Sequence, residues 1–135
     1  MVQPIRIFLG DLTYNTVGMS TEVFPLNVGY IAAHCKKRFG SKIDITLFKY
    51  IDELEESIYE NPPDVLGLSN YVWSYRIGLE MFDLVRSQNP DVITVWGGPN
   101  FPQDLESQQS FMKKCSNVDF YVPIEGEIGF SNIIE

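Results

Sequence analysis

An α/β domain with a parallel sheet and helices on both faces is predicted by three observations. Strand-like runs alternate with helix-like segments five times within 135 residues. One run, Asp91-Val92-Ile93-Thr94-Val95, is β-branched and reads as a strand buried on both faces. It leads into Trp96-Gly97-Gly98-Pro99-Asn100-Phe101-Pro102, whose paired glycines fall at the strand's carboxyl end. Ligands of open α/β sheets settle at carboxyl ends, and residues without Cβ atoms let a ligand lie on the main chain. A tight strand-to-loop turn is the other reading of the same glycines.

The first strand is Ile5-Arg6-Ile7-Phe8-Leu9, followed by a long loop, Gly10 to Phe24, rich in Thr, Ser, Asn and Gly. Pro25 opens a helix, a favoured place for proline. Val28, Ile31, Ala32, Cys35 and Phe39 form its buried stripe and Gly40 ends it. Ile43 to Phe48 is the second strand. An acidic helix follows, with Ile51, Leu54 and Ile58 inward and Glu53, Glu55, Glu56 and Glu60 outward. Pro62-Pro63 breaks the chain before the third strand, Asp64 to Ser69. The third helix spans Tyr75 to Gln88 and buries Ile77, Met81, Leu84 and Val85. A fourth helix, Gln103 to Cys115, follows the glycine-ended strand. Asp119 to Val122 is the fifth strand, and Gly126 starts a last helix. Alternation of this kind requires right-handed crossovers. A five-stranded, flavodoxin-like sheet in the order 2-1-3-4-5 is expected, in one domain over residues 1–135. The final helix stops soon after it begins, so the chain reads as a piece cut from a longer protein.

A net charge of −8 argues against nucleic acid or an anionic membrane surface as the partner. No apolar run approaches the roughly 18 residues that span a bilayer, and no secretory signal is read. Cys35 and Cys115 lie far apart, in predicted helices and without metal-ligand spacing. They read as reduced thiols, and a cytoplasmic location is expected. The single histidine, His34, lies off the first helix's apolar stripe among Lys37 and Arg38, more than two turns past the helix start.

Three loops share one edge of the predicted sheet: Gly10 to Phe24, Ser69 to Ser74, and Gly97 to Pro102. They carry small residues, hydroxyls, amides and aromatics, no histidine and few charges, with Asp11 the first loop's one ionisable side chain before Glu22. Main-chain hydrogen bonds and stacking could hold a ligand there, whereas acid–base machinery is missing. Tyr71 and Trp73 are expected to be partly exposed. Binding, not catalysis, is the expected role of this chain.

Several of these stretches, taken in order, resemble the cobalamin-binding domain that precedes the catalytic barrel of many radical S-adenosylmethionine enzymes. They are residues 25–33 (PLNVGYIAA), 63–73 (PDVLGLSNYVW), 97–102 (GGPNFP), and 118–122 with Glu125-Gly126-Glu127. The wider fold family carries D-x-H-x-x-G after its first strand, S-x-L after its third and a glycine pair after its fourth. Here Asp11 keeps the aspartate and Thr13 stands where the cobalt-ligating histidine would be. Ser69 keeps the serine, with Tyr71 in place of the leucine, and Gly97-Gly98 is intact. The resemblance implies that the dimethylbenzimidazole tail leaves cobalt and threads beside these strand ends, with Ser69 bonding it and the glycines giving it room. No histidine ligand is then expected, and Tyr71, Val72 or Trp73 would face the lower side of the corrin. The expected cofactor-binding residues are Asp11, Thr13, Ser69, Asn70, Tyr71, Trp73, Gly97, Gly98, Pro99 and Asn100. A bulky residue at Gly98 is expected to block the tail while leaving the fold mostly intact.

The radical chemistry implied by the resemblance needs a C-x-x-x-C-x-x-C loop, which two distant cysteines cannot supply. The iron–sulfur cluster and S-adenosylmethionine would belong to an absent C-terminal radical domain, whose reaction is methyl transfer or another radical rearrangement. Two alternatives stay open. An FMN-binding flavodoxin is suggested by Thr13-Tyr14-Asn15-Thr16 and the acidic balance, but a phosphate loop should open directly onto a helix, and Pro25 stands nine residues beyond Thr16. A ligand-free scaffold is the other. A receiver-like domain needs an aspartate at the end of the third strand, where this chain has Ser69-Asn70.

Overall fold

The computed structural model describes residues 3–13, 26–123 and 126–135. Its strands are β1 (Ile5–Thr13), β2 (Ile43–Tyr50), β3 (Val65–Ser69), β4 (Ile93–Gly97) and β5 (Phe120–Val122). Its helices are α1 (Leu26–Phe39), α2 (Ile51–Glu60), α3 (Tyr75–Gln88), α4 (Leu105–Lys114) and α5 (Gly126–Ile134). The strands form one parallel sheet in the order β2-β1-β3-β4-β5, the order expected from the strand–helix alternation.

Period-two alternation along each strand divides the core into two layers. Phe8, Leu12, Phe48, Leu66, Leu68 and Trp96 face α2 and α3, meeting Leu54, Ile58, Ile77, Met81, Phe82 and Val85. Ile7, Leu9, Ile43, Val65 and Val95 face the other way, toward Val28 and Cys35 of α1 and Phe130 of α5. Phe82 is fully buried against the Trp96 ring edge, an anchor that the helical stripe alone did not single out.

Strand ends differ from the sequence expectation, each time because pairing decides them. β1 continues past Leu9 to Thr13, so Asp11 and Thr13 end a strand instead of opening a loop. Beyond Gly10 its pairing continues with β2, whose Tyr50 lies opposite Thr13 after a register irregularity, and cross-strand bonds outweigh the low strand propensity of Gly10 and Asp11. β4 begins two residues late and takes in Trp96 and Gly97 because β3 and β5 pair with both. Asp104 caps α4 by accepting the Ser107 N–H at 2.9 Å, and Cys115 is the helix's C-cap residue, not part of it. The start of the first helix at Pro25 and most of the long loop before it lie outside the described residues.

At the amino edge, β4 and β5 are locked by one polar knot. The buried Thr94 hydroxyl donates to the Asn117 carbonyl at 2.6 Å and accepts the Asp119 N–H at 2.9 Å. Arg86 bridges Asp119 at 3.0 Å and also reaches the Val92 carbonyl at 2.8 Å. Thr94→Val keeps the shape but removes the hydroxyl's bonds to the Asn117 carbonyl and the Asp119 N–H, both made at the buried Thr94 side chain. It should cost about 1–3 kcal/mol, read as a lower urea midpoint with an unchanged slope.

Candidate functional site

On the face toward α1 and α5, side chains shrink along two neighbouring strands as they approach the carboxyl edge. β3 presents Val65, Gly67 and Ser69 there, and β4 presents Val95 and Gly97. The register sets Gly67 beside Val95 and Ser69 beside Gly97, so the small positions adjoin. Protein interiors are close-packed, and a floor stripped of side chains under two helices leaves a hollow. That hollow is a cavity of about 330 Å³, walled by Leu9, Val28, Ile31, Val122 and Phe130.

The glycines of this region have different duties. A Cβ at Gly67 would stand 2.7 Å from the Leu9 tip and 3.1 Å from the Phe130 ring, so those side chains close the inner end. A Cβ at Gly97 would approach only the Val122 carbonyl, at 3.1 Å, and would stand in the hollow. Gly98 has φ of +116°, and a Cβ there would lie 2.8 Å from the Asn70 carbonyl oxygen. Gly98 is therefore required by its own loop. The expectation that a bulky residue at Gly98 spares the fold is corrected: its side chain would drive into Asn70's backbone, and Gly97 is the position that opens on the cavity.

Of the residues singled out from sequence, Ser69, Tyr71, Gly97, Gly98 and Pro99 border the cavity. Asn70, Trp73, Asn100 and Asp11 do not. Asn70 is fully buried and ties the two loops together: its Nδ2 donates to the Asn100 carbonyl at 2.7 Å, and its Oδ1 accepts from Asn100 Nδ2 at 3.2 Å. The Asn100 N–H returns to the Asn70 carbonyl at 3.1 Å. Trp73 is 63% exposed and lies flat on Tyr71, ring centres 4.7 Å apart, outside the cavity mouth. Thr13 is described only through its strand pairing, and the rest of the first loop lies outside the described residues. Leu9, Gly67, Val28, Ile31, Phe130 and Glu127 were not singled out as site residues. The matching two-residue spacing of Gly67–Ser69 and Val95–Gly97 is the signal that could have found the floor.

The lining is mostly apolar; among its described residues Ser69 and Tyr71 carry hydroxyls and Glu127 a carboxylate. The Ser69 side chain has no hydrogen-bond partner among the described residues; its backbone carbonyl accepts from the Ser74 hydroxyl. Such a slot suits a flat, largely apolar ring carrying one polar atom. A corrin with its substituents is far too large for it, so only part of such a ligand could enter.

Asp11 sits at the carboxyl end of β1, where burial pushes its carboxyl above the ordinary 3.8. A raised acid costs stability once ionised: the cost is nil below 3.8 and grows as pH rises through the folded value. Asp11→Asn should accordingly raise Tm at pH 7, with the gain shrinking below pH 4. For Gly98→Ala the expectation is a loss of about 1–3 kcal/mol from the strained φ alone, measurable by urea denaturation.

Comparison with known proteins bears on what the slot holds. The model of the B12 binding domain family matches residues 15–134. The cobalamin-dependent radical SAM methyltransferase TokK of Streptomyces tokunonensis is 31% identical over 125 residues, which is 87% of this chain and 18% of that protein. The chain thus spans about a fifth of that relative's length. A cobalamin-binding protein from Desulfitobacterium hafniense superposes with a TM-score of 0.62 at 13% identity, covering 96% of this chain and 57% of that one. A receiver domain from Methanospirillum hungatei gives 0.66 at 11%, covering 98% and 92%. At such identities the two structures share the fold alone. The family match over nearly all of the sequence decides the matter: this chain belongs to the B12 binding domain family.

Proposed function

We propose that this domain holds cobalamin base-off, with the dimethylbenzimidazole tail in the cavity over Gly97 and no histidine on the cobalt. The observation that carries this reading is the bare floor at Ser69 and Gly97, sized for the tail and not for the corrin. Leu9, Val28, Val95 and Phe130 would pack on the ring, and the Ser69 hydroxyl would donate to its free nitrogen. The corrin would then rest outside on the carboxyl edge, where Tyr71 and Trp73 stack face to face and Val72 is 80% exposed. Thr13 stands at the ligand position of the sequence motif, and His34 is not among the residues lining the cavity, so the lower face would be left to water or to the aromatic pair.

Cobalamin supplies a cobalt-borne methyl group for transfer. The likeness to a cobalamin-dependent radical SAM methyltransferase supports methyl transfer as the activity of the whole protein. An iron–sulfur cluster and S-adenosylmethionine would reside in a further domain. This chain's own residues would bind the tail, orient the corrin and keep histidine from the metal. Both cysteines are buried and free, in keeping with a reducing, cytoplasmic setting.

Titrating the 135-residue chain with hydroxocobalamin, with FMN as control, tests the binding mode. The expected outcome is a base-off spectrum without histidine ligation and no FMN binding. Gly97→Leu, which fills the slot, should weaken cobalamin binding by at least about tenfold, the equivalent of 1.4 kcal/mol, in a variant that still melts cooperatively. A base-on spectrum, or wild-type affinity in the folded Gly97→Leu chain, refutes tail insertion.

A further inference from the structure

Tyr121 stands on edge strand β5, on the sheet face opposite the cavity. Its ring stacks on Phe101 with centres 3.7 Å apart and packs near Phe111 and Trp96. Its hydroxyl leaves this apolar cluster and reaches the cavity rim. There it donates to the Gly98 carbonyl at 2.8 Å and accepts from Asn70 Nδ2 at 3.3 Å. Burial pushes the phenol up to about 12, so it remains a donor throughout the physiological range.

The rim has one loose joint, and this bond closes it. On one side the Gly97 carbonyl accepts the Asn70 N–H; on the other, Asn100 is held by three bonds to Asn70. Between them lies the Gly98–Pro99 peptide, which has no N–H to anchor it because its nitrogen is proline's. Its carbonyl is its one hydrogen-bonding group, and glycine opposes rotation weakly. Both residues border the cavity. Proline holds its own φ near about −65°, so the freedom left to this peptide is rotation about Gly98, and the phenolic O–H is the hydrogen bond described for the rim that opposes it.

We infer that Tyr121 is a positioning residue: from behind the sheet it fixes the Gly98–Pro99 peptide and so sets the mouth through which the cofactor tail enters. The inference rests on the proposed base-off binding mode. It assigns a ligand-binding consequence to a side chain that never touches the ligand.

Tyr121→Phe keeps the ring stack and deletes only the hydroxyl. In the 135-residue chain, well below its thermal transition, the variant should bind hydroxocobalamin about five- to tenfold more weakly, the loss expected of one neutral hydrogen bond. Part of the bound cobalamin should also turn base-on in its visible spectrum. A merely structural hydroxyl would lower Tm and leave the affinity and spectrum of the folded variant as in wild type, and that result overturns the inference. Should Tyr121→Phe fail to fold, Tyr121→4-fluorophenylalanine fills the hydroxyl's space without an O–H to donate: a base-on shift supports the inference and an unchanged spectrum overturns it. Wild-type chain that binds base-on, or not at all, defeats the binding mode itself, and the role of Tyr121 falls with it.

Discussion

The site depends on one constraint, the register between β3 and β4. Parallel pairing sets Ser69 beside Gly97 and Gly67 beside Val95, all on the face toward α1 and α5. A one-residue slip would turn Leu68 and Trp96 into the hollow and send the small residues to the other layer. The register is secured from below by the Ile93 N–H, which donates to the Asp64 carbonyl at 2.9 Å, and from above by the Asn70–Asn100 bonds, so both ends of β4 are pinned.

The two layers of the molecule divide the work. Trp96 is fully buried and lies among Tyr75, Phe82, Phe111 and Tyr121, a dense aromatic cluster that fixes β4 against α3. Gly78 lets the indole lie directly on the helix, where a Cβ would come within 2.9 Å of the ring. The indole N–H has no acceptor among the described residues, a cost of about 1–3 kcal/mol that its burial and ring contacts must offset. The opposite layer forgoes such packing over Gly97. Stability is concentrated in one layer, and the unfilled space is kept in the other.

A rim of backbone is a demanding binding surface, because backbone has no rotamers with which to adapt. Its geometry has to be set before the ligand arrives, and preorganisation of this kind lowers the cost of binding. Here the loops after β3 and β4 bond to each other through Asn70 and Asn100, and Gly98 accepts the close approach of Asn70's main chain. The aromatic side chains that matter also separate by position: Tyr71 and Trp73 lie outside as a flat platform, while Phe101 and Tyr121 brace the rim from behind.

Much was legible in the sequence because it depends on local chemistry. The periods of 2 and 3.6, Gly40 after the first helix, Pro62-Pro63 before the third strand and the strand–helix alternation lead to the sheet order that the structure has. The spaced motifs from Pro25 to Glu127 point to the B12 binding family, which the family match bears out. Strand ends escaped, since β1 reaches Thr13 only through its pairing with β2. So did the separate duties of two adjacent glycines. As letters Gly97 and Gly98 are identical, and only the fold aims one absent Cβ into a cavity and the other at the Asn70 backbone. Asn70 and Asn100 looked like ligand contacts for the same reason, yet their amides are spent on each other and on Tyr121, more than twenty residues away in sequence. Direction and long-range pairing are properties of packing, and no window of sequence contains them.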